Sequence, residues 1–190
     1  ERGGVFVLAN IRGGGEFGPA WHQAGLKENR QRVYDDFIAV AEDLVQRRVT
    51  APKHLGIVGG SNGGLLMGVM LTQRPDLFGA IVCQQPLLDM KRYSHLLAGA
   101  SWMGEYGDPD VPAEWAYLSR YSPYQNVRAG THYPPILFTT STRDDRVHPG
   151  HARKMAARMI EQGHDMLFYE NTEGGHAGAA DNRQQAFMSA

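Results

Sequence analysis

One cysteine, Cys83, occurs in 190 residues. A disulfide within the chain is thereby excluded, as is a zinc site built on several thiolates. An excess of one charge is also missing. Nineteen Lys and Arg stand against 20 Asp and Glu, a formal net charge of −1. Nucleic-acid binding and electrostatic attachment to a membrane surface need a marked imbalance, so neither partner is expected. No apolar run reaches the length of a membrane span, and the first residues lack a signal-peptide pattern. A soluble chain is expected, and cytoplasm and periplasm suit it equally. No internal repeat or low-complexity linker breaks the sequence. Position 1 is Glu rather than Met, and "GVFVLANI" follows almost at once, while "NRQQAFMSA" closes the chain in helix-like composition. The reading is a piece of a longer protein.

What is present is ordinary globular material: 42% hydrophobic and 21% charged residues, enough for the core of one domain or most of one. Periodicities of two kinds alternate. Apolar, β-branched runs at 5–10, 54–59, 78–85, 134–141 and 165–171 read as strands. Helical spacing appears at 31–48, 64–73 and 149–163, and a last helix starts near Ala180. The aromatic- and proline-rich stretch 86–133 holds one or two short helices. Strands alternating with helices predict an α/β fold, a mostly parallel sheet with helices on both faces. Met67, Met70, Met155 and Met159 fall at helical spacing and are expected in the core.

At the junction of strand 54–59 and helix 64–73 lies Gly59-Gly60-Ser61-Asn62-Gly63. This fits G-x-S-x-G, and its strand-to-helix setting gives the pattern meaning. A nucleophile elbow turns so sharply that its serine is strained and its flanks must be small. The turn lifts the hydroxyl to a helix N-terminus, where the N–H of Asn62 can meet a developing oxyanion. The spacing fits neither G-x-G-x-x-G nor a P-loop, and no lysine follows.

A nucleophilic serine needs a base, and the base an orienting carboxylate. The order Ser, acid, His can be sought at strand ends. Strand 134–141 runs into "TRDDRVHPG", which offers Asp144 and Asp145. Strand 165–171 runs into "TEGGHAGAA", which offers His176 among glycines that suit a mobile loop. All three loops occupy the sheet edge where open α/β sheets bind ligands. Asp89 also follows a strand and is an alternative acid. Asp108 and Asp110 in "GDPD" read as turn residues. His148 and His151 lack an acidic or thiol partner at metal-site spacing and read as loop and helix-start residues. His22, His54, His95, His132 and His164 lack the strand-end setting.

Together "NIRGGGEFG…WH", the helix containing "DDF", "GGSNGGLL", "QRPDLFGA", "SWMGEYGDP", "YSP", "DDRVHP" and "GGHAG" resemble the catalytic domain of prolyl oligopeptidases, in order and over essentially the whole chain. The resemblance implies an α/β-hydrolase fold, partial here because the family's N-terminal strands and β-propeller are not among these residues. Residues 1–190 then form a peptidase catalytic domain, the C-terminal part of a longer protein. The resemblance implies Ser61 as nucleophile, Asp144 as acid and His176 as base, so it selects the first carboxylate of the pair. It implies that Arg146 holds a substrate carbonyl and that Trp102 stacks on the substrate proline. Tyr106, Val147 and Asn62 line the same pocket. The family's second oxyanion donor, a tyrosine hydroxyl, belongs to an upstream loop outside this sequence. Phe17 stands where the family often has tyrosine.

The expected activity is a serine peptidase acting on short peptides, after proline, through an acyl-enzyme and without cofactor or metal. The alternatives are a related oligopeptidase cutting after basic residues, an acylaminoacyl peptidase, an esterase, or an inert fragment or interaction protein. The joint presence of Ser61, Asp144 and His176 argues against a non-catalytic interaction protein, and the inert fragment stays open. An open sheet edge further implies self-association of the isolated piece.

Overall fold

The computed structural model describes residues 3–189. In chain order the elements are α1 (Pro19–Gln23), α2 (Gln31–Gln46), β1 (Gly56–Gly60), α3 (Asn62–Gln73), β2 (Ala80–Gln84), α4 (Met103–Tyr106), α5 (Pro112–Tyr121), α6 (Pro123–Asn126), β3 (Ile136–Ser141), α7 (Gly150–Glu161), β4 (Leu167–Asn171) and α8 (Asn182–Ser189). The four strands form one parallel sheet in the order β1-β2-β3-β4. Gly60 pairs with Gln84, Gln84 with Thr139, and Ser141 with Asn171. The carboxyl ends of the strands therefore line up along one rim.

Parallel strands need cover on both faces. β3 is buried along most of its length, with Phe138 fully enclosed. α3 is apolar almost all round and buries Leu65, Met67, Val69, Met70 and Leu71, as a helix enclosed by the fold must. α2 turns only one side inward, through Val33, Tyr34 and Ala41. Met155 and Met159 of α7 complete the core beside Met67 and Met70, all four buried as their spacing predicts.

Two expectations need correction. Residues 5–10 form no strand. Val5, Phe6 and Leu8 are 76%, 83% and 76% exposed. Where this segment meets β1 there is an apolar cavity of about 280 Å³, lined also by Phe37, Leu44, Leu66 and Phe78, instead of a hydrogen-bond ladder. An apolar β-branched run reports a preference for burial, and a strand also requires a partner within pairing distance. The stretch 86–133 contains three short α-helices rather than one or two, each of α5 and α6 opening on a proline at its first position. α2 stops at Gln46 because Arg48 enters left-handed backbone at φ 58. The remaining boundaries shift by one or two residues. Among the described residues, no helix is long and apolar enough to cross a membrane.

Candidate active site

Ser61 joins β1 to α3 with φ 57 and ψ −114, a region costly for any residue with a side chain. Its N–H donates to the Gln84 carbonyl at 2.9 Å, and its own carbonyl accepts from Leu65 N–H at 3.0 Å. The turn is closed by backbone contact. A Cβ at Gly59 would lie 2.5 Å from the Gly63 carbonyl oxygen, and one at Gly64 would lie 2.8 Å from the Gln84 carbonyl oxygen and from Pro86. Gly60 would meet only ordinary contacts and Gly63 open space. The steric demand thus falls on Gly59 and Gly64, not evenly on the residues flanking the serine. Asn62 opens α3, and its N–H is one of the orphan donors of a helix start.

Asp144 lies in the loop after β3, and 4% of it is exposed. Its Oδ1 accepts the N–H groups of Arg146 and Val147, both at 2.9 Å. Both carboxylate oxygens face Nδ1 of His176, at 2.8 Å from Oδ2 and 3.0 Å from Oδ1. Asp145 points outward and is exposed. Among the described residues it forms no ion pair with Arg146. Of two adjacent carboxylates, the turn presents one to the histidine. An anion at Nδ1 holds the proton there and leaves Nε2 as an acceptor.

The His176 loop is tied down. Asn171, buried at the end of β4, accepts from the N–H groups of Glu173 (3.0 Å) and Gly174 (3.3 Å). Its amide donates to the Gly178 carbonyl and to Gln184 Oε1, the latter at 2.7 Å. Ser141 Oγ donates to the same Gly178 carbonyl. The glycines also serve this tight knot: a Cβ at Gly174 would collide with the Gly178 carbonyl. Ser61 Oγ makes no hydrogen bond to His176 among the described residues. Such bonds are often long before substrate arrives.

A cavity of about 400 Å³ opens beside Ser61, and Asn62, Trp102, Tyr106 and Arg146 all line it together with Leu87, Ser101 and Glu105. Val147 is buried in the core instead and contributes its N–H to Asp144. Asp89 is buried away from His176, in a knot with Lys154 and with Gln125 at 2.7 Å. Burial raises its pKa, but those hydrogen bonds outweigh it and hold the pKa below the usual value. Asp108 accepts from the Asp110 N–H at 2.9 Å, as a turn residue does. His148 Nδ1 caps the Gly150 N–H at 2.9 Å.

Two residues beside the cavity had no signal in the sequence. Arg30, just before α2, is 2% exposed. Its Nη1 donates to Glu105 Oε1 at 2.6 Å and its Nη2 to Asn62 Oδ1 at 2.5 Å. Burial works against its charge, and Tyr34, Tyr106 and Glu105 outweigh it, so its pKa rises and it stays a cation. In "KENRQR" nothing distinguishes Arg30 from its charged neighbours. Glu105 lies inside "SWMGEYG" but carries no motif of its own.

A family model described as the prolyl oligopeptidase family matches residues 1–189. The chain is 62% identical to an uncharacterized peptidase of Sinorhizobium fredii over 98% of its own length and 26% of the relative's. It is 41% identical to a prolyl endopeptidase of Elizabethkingia miricola, over 99% of this chain and 27% of that one. The structure of a post-proline cleaving enzyme from Rickettsia typhi matches with a TM-score of 0.84 at 46% identity, covering 88% of this chain and 24% of that one. The chain spans about a quarter of the length of these relatives.

Proposed function

The chain belongs to the prolyl oligopeptidase family, and on that premise we propose that it carries the reacting groups of a serine peptidase that cuts short peptides after proline. One observation supports this above the rest. A strained serine, a carboxylate cradled by backbone N–H groups and a histidine whose Nδ1 faces that carboxylate occupy loops on one rim of the sheet.

Ser61 Oγ attacks the peptide carbonyl while Nε2 of His176 takes its proton. Asp144 keeps the imidazole in the tautomer with hydrogen on Nδ1 and stabilises the imidazolium that forms. The carbonyl oxygen, now negative, is met by the N–H of Asn62. His176 returns the proton to the leaving amine, and water then opens the acyl-enzyme. In the cavity, the flat indole of Trp102 suits a flat pyrrolidine, and Arg146 offers several donors to a substrate carbonyl.

Fluorophosphonate labelling of the intact protein tests the nucleophile. Label is expected on Ser61, and Ser61→Ala is expected to abolish both labelling and turnover. Label persisting on another serine in the Ala variant rejects the assignment. A panel of short chromogenic peptides tests the preference. Faster cleavage after basic residues, or of acylated amino termini or simple esters, would place the protein with another branch of the fold.

A further inference from the structure

The peptide joining Ser61 to Asn62 carries the N–H assigned to the oxyanion, and it sits beside strained backbone. With Ser61 held at φ 57 and ψ −114, the direction of that N–H depends on where the Cα of Asn62 is kept, and a shift of Asn62 that relieved the serine would turn the N–H away. The side chain of Asn62 is held against such a shift. Its Oδ1 accepts from Arg30 Nη2 at 2.5 Å and from the Tyr106 hydroxyl at 2.7 Å, which fills both lone pairs. Both neighbours are obligatory donors here. A guanidinium has no acceptor, and burial raises the Tyr106 pKa so that its hydroxyl keeps its proton.

The clamp is itself anchored. The Arg30 guanidinium lies 4.8 Å from the centre of the Tyr106 ring. Its other arm reaches Glu105 Oε1, and Glu105 Oε2 lies 2.9 Å from His22 Nε2. The segment before α2, the start of α3, and α4 thus meet on one amide. We infer that Arg30, with Tyr106, is a positioning residue for catalysis: it fixes Asn62 so that the 61–62 peptide N–H stays aimed at the developing oxyanion. The inference rests on the reading of Ser61 as nucleophile.

The intact enzyme tests it through Arg30→Met, Arg30→Lys and Tyr106→Phe. The measurements are kcat, KM, melting temperature, the rate of fluorophosphonate labelling at Ser61, and affinity for two inhibitors. One is a peptide aldehyde, whose carbonyl carbon is attacked by Ser61 Oγ while His176 Nε2 takes the hydroxyl proton, giving a hemiacetal adduct that bears an oxyanion. The other is a peptide amide that binds without reacting. Arg30→Met is expected to lower kcat, labelling rate and aldehyde affinity together by roughly 10- to 100-fold, less than loss of an oxyanion donor outright. KM and peptide-amide affinity are expected to stay within about twofold, because the clamp acts on the transition state. Arg30→Lys keeps the charge and one arm and is expected to recover part of the loss. Tyr106→Phe removes a single oxygen; because Tyr106 also lines the substrate cavity, its readout is the ratio of aldehyde to peptide-amide affinity, and a fall in that ratio decides the matter if Arg30→Met does not fold. A fall in kcat with undiminished aldehyde affinity, equal losses for both inhibitors, or a lower melting temperature with unchanged rates would each overturn the inference. Absence of label at Ser61 in the wild-type protein would instead overturn the nucleophile assignment, whatever Arg30 does.

Discussion

The worth of a carboxylate to a neighbouring histidine depends on where the backbone aims it. Asp144 is fixed by two N–H donors and faces His176, whereas Asp145 is exposed. Asp144→Asn is therefore expected to lower kcat by about four orders of magnitude, as loss of the correct tautomer does in triad enzymes, and Asp145→Asn by a few-fold at most. Steady-state rates of both variants of the intact protein check this, and the reverse ranking would mean that Asp145 is the partner. Aim was not legible in "TRDDRV", where spacing leaves both aspartates open and only the family resemblance chose. A second residue ties stability to pH. Nδ1 of buried His151 accepts the N–H groups of Leu88 and Asp89, at 3.3 and 3.1 Å, and so must stay unprotonated. Burial lowers its pKa to about 4, against the opposing pull of Asp89. Between its unfolded value of about 6.5 and that folded value, the unfolded chain holds more protons. Stability is therefore expected to be complete above pH 6.5 and to fall as pH drops toward 4, by on the order of 3 kcal/mol from this group. Urea melts from pH 7.5 to 4.5 should show the slope flattened in His151→Gln relative to wild type.

Elements were legible where one periodicity ran long enough. α2 and α7 emerge from 3.6-residue spacing, α3 from a longer apolar run after the glycine turn, and β1 to β4 from short apolar runs. Residues 5–10 have the same composition and fail, because pairing depends on a neighbour that composition does not name. The elbow makes the same point in miniature. Its pattern predicts tightness, but only the packing says that tightness lies at Gly59 and Gly64. Gly64→Ala is expected to destabilise by about 1–3 kcal/mol through overpacking against Gln84 and Pro86. Gly63→Ala, with open space for its Cβ, is expected to stabilise by about 0.5–1 kcal/mol through helix propensity. Chemical denaturation of the two variants compares them directly, and equal effects would contradict the assignment. Asn171 had no signal at all, since a terminal strand residue with three loop partners and one in α8 looks like any other asparagine.

For the whole molecule, the outer edge of β1 is the weak point. Val58 is 59% exposed on that strand, and the exposed run Val5–Leu8 lies across the apolar cavity from it. Unpaired edges beside apolar surface invite pairing with another chain. Residues 1–190 in isolation are expected to self-associate, and sedimentation should show Val58→Lys shifting them toward monomer. Equal association of both would place the contact elsewhere. The sheet's spatial order has a different consequence. Because β1 to β4 sit side by side in the order in which they are translated, each strand can join a rim already laid down. On the roles proposed above, the reacting groups then reach the growing chain in the order nucleophile, acid and base: Ser61, Asp144 and last His176. On this reading, a nascent peptidase on the ribosome carries a serine with no base to activate it until nearly the whole sheet is built.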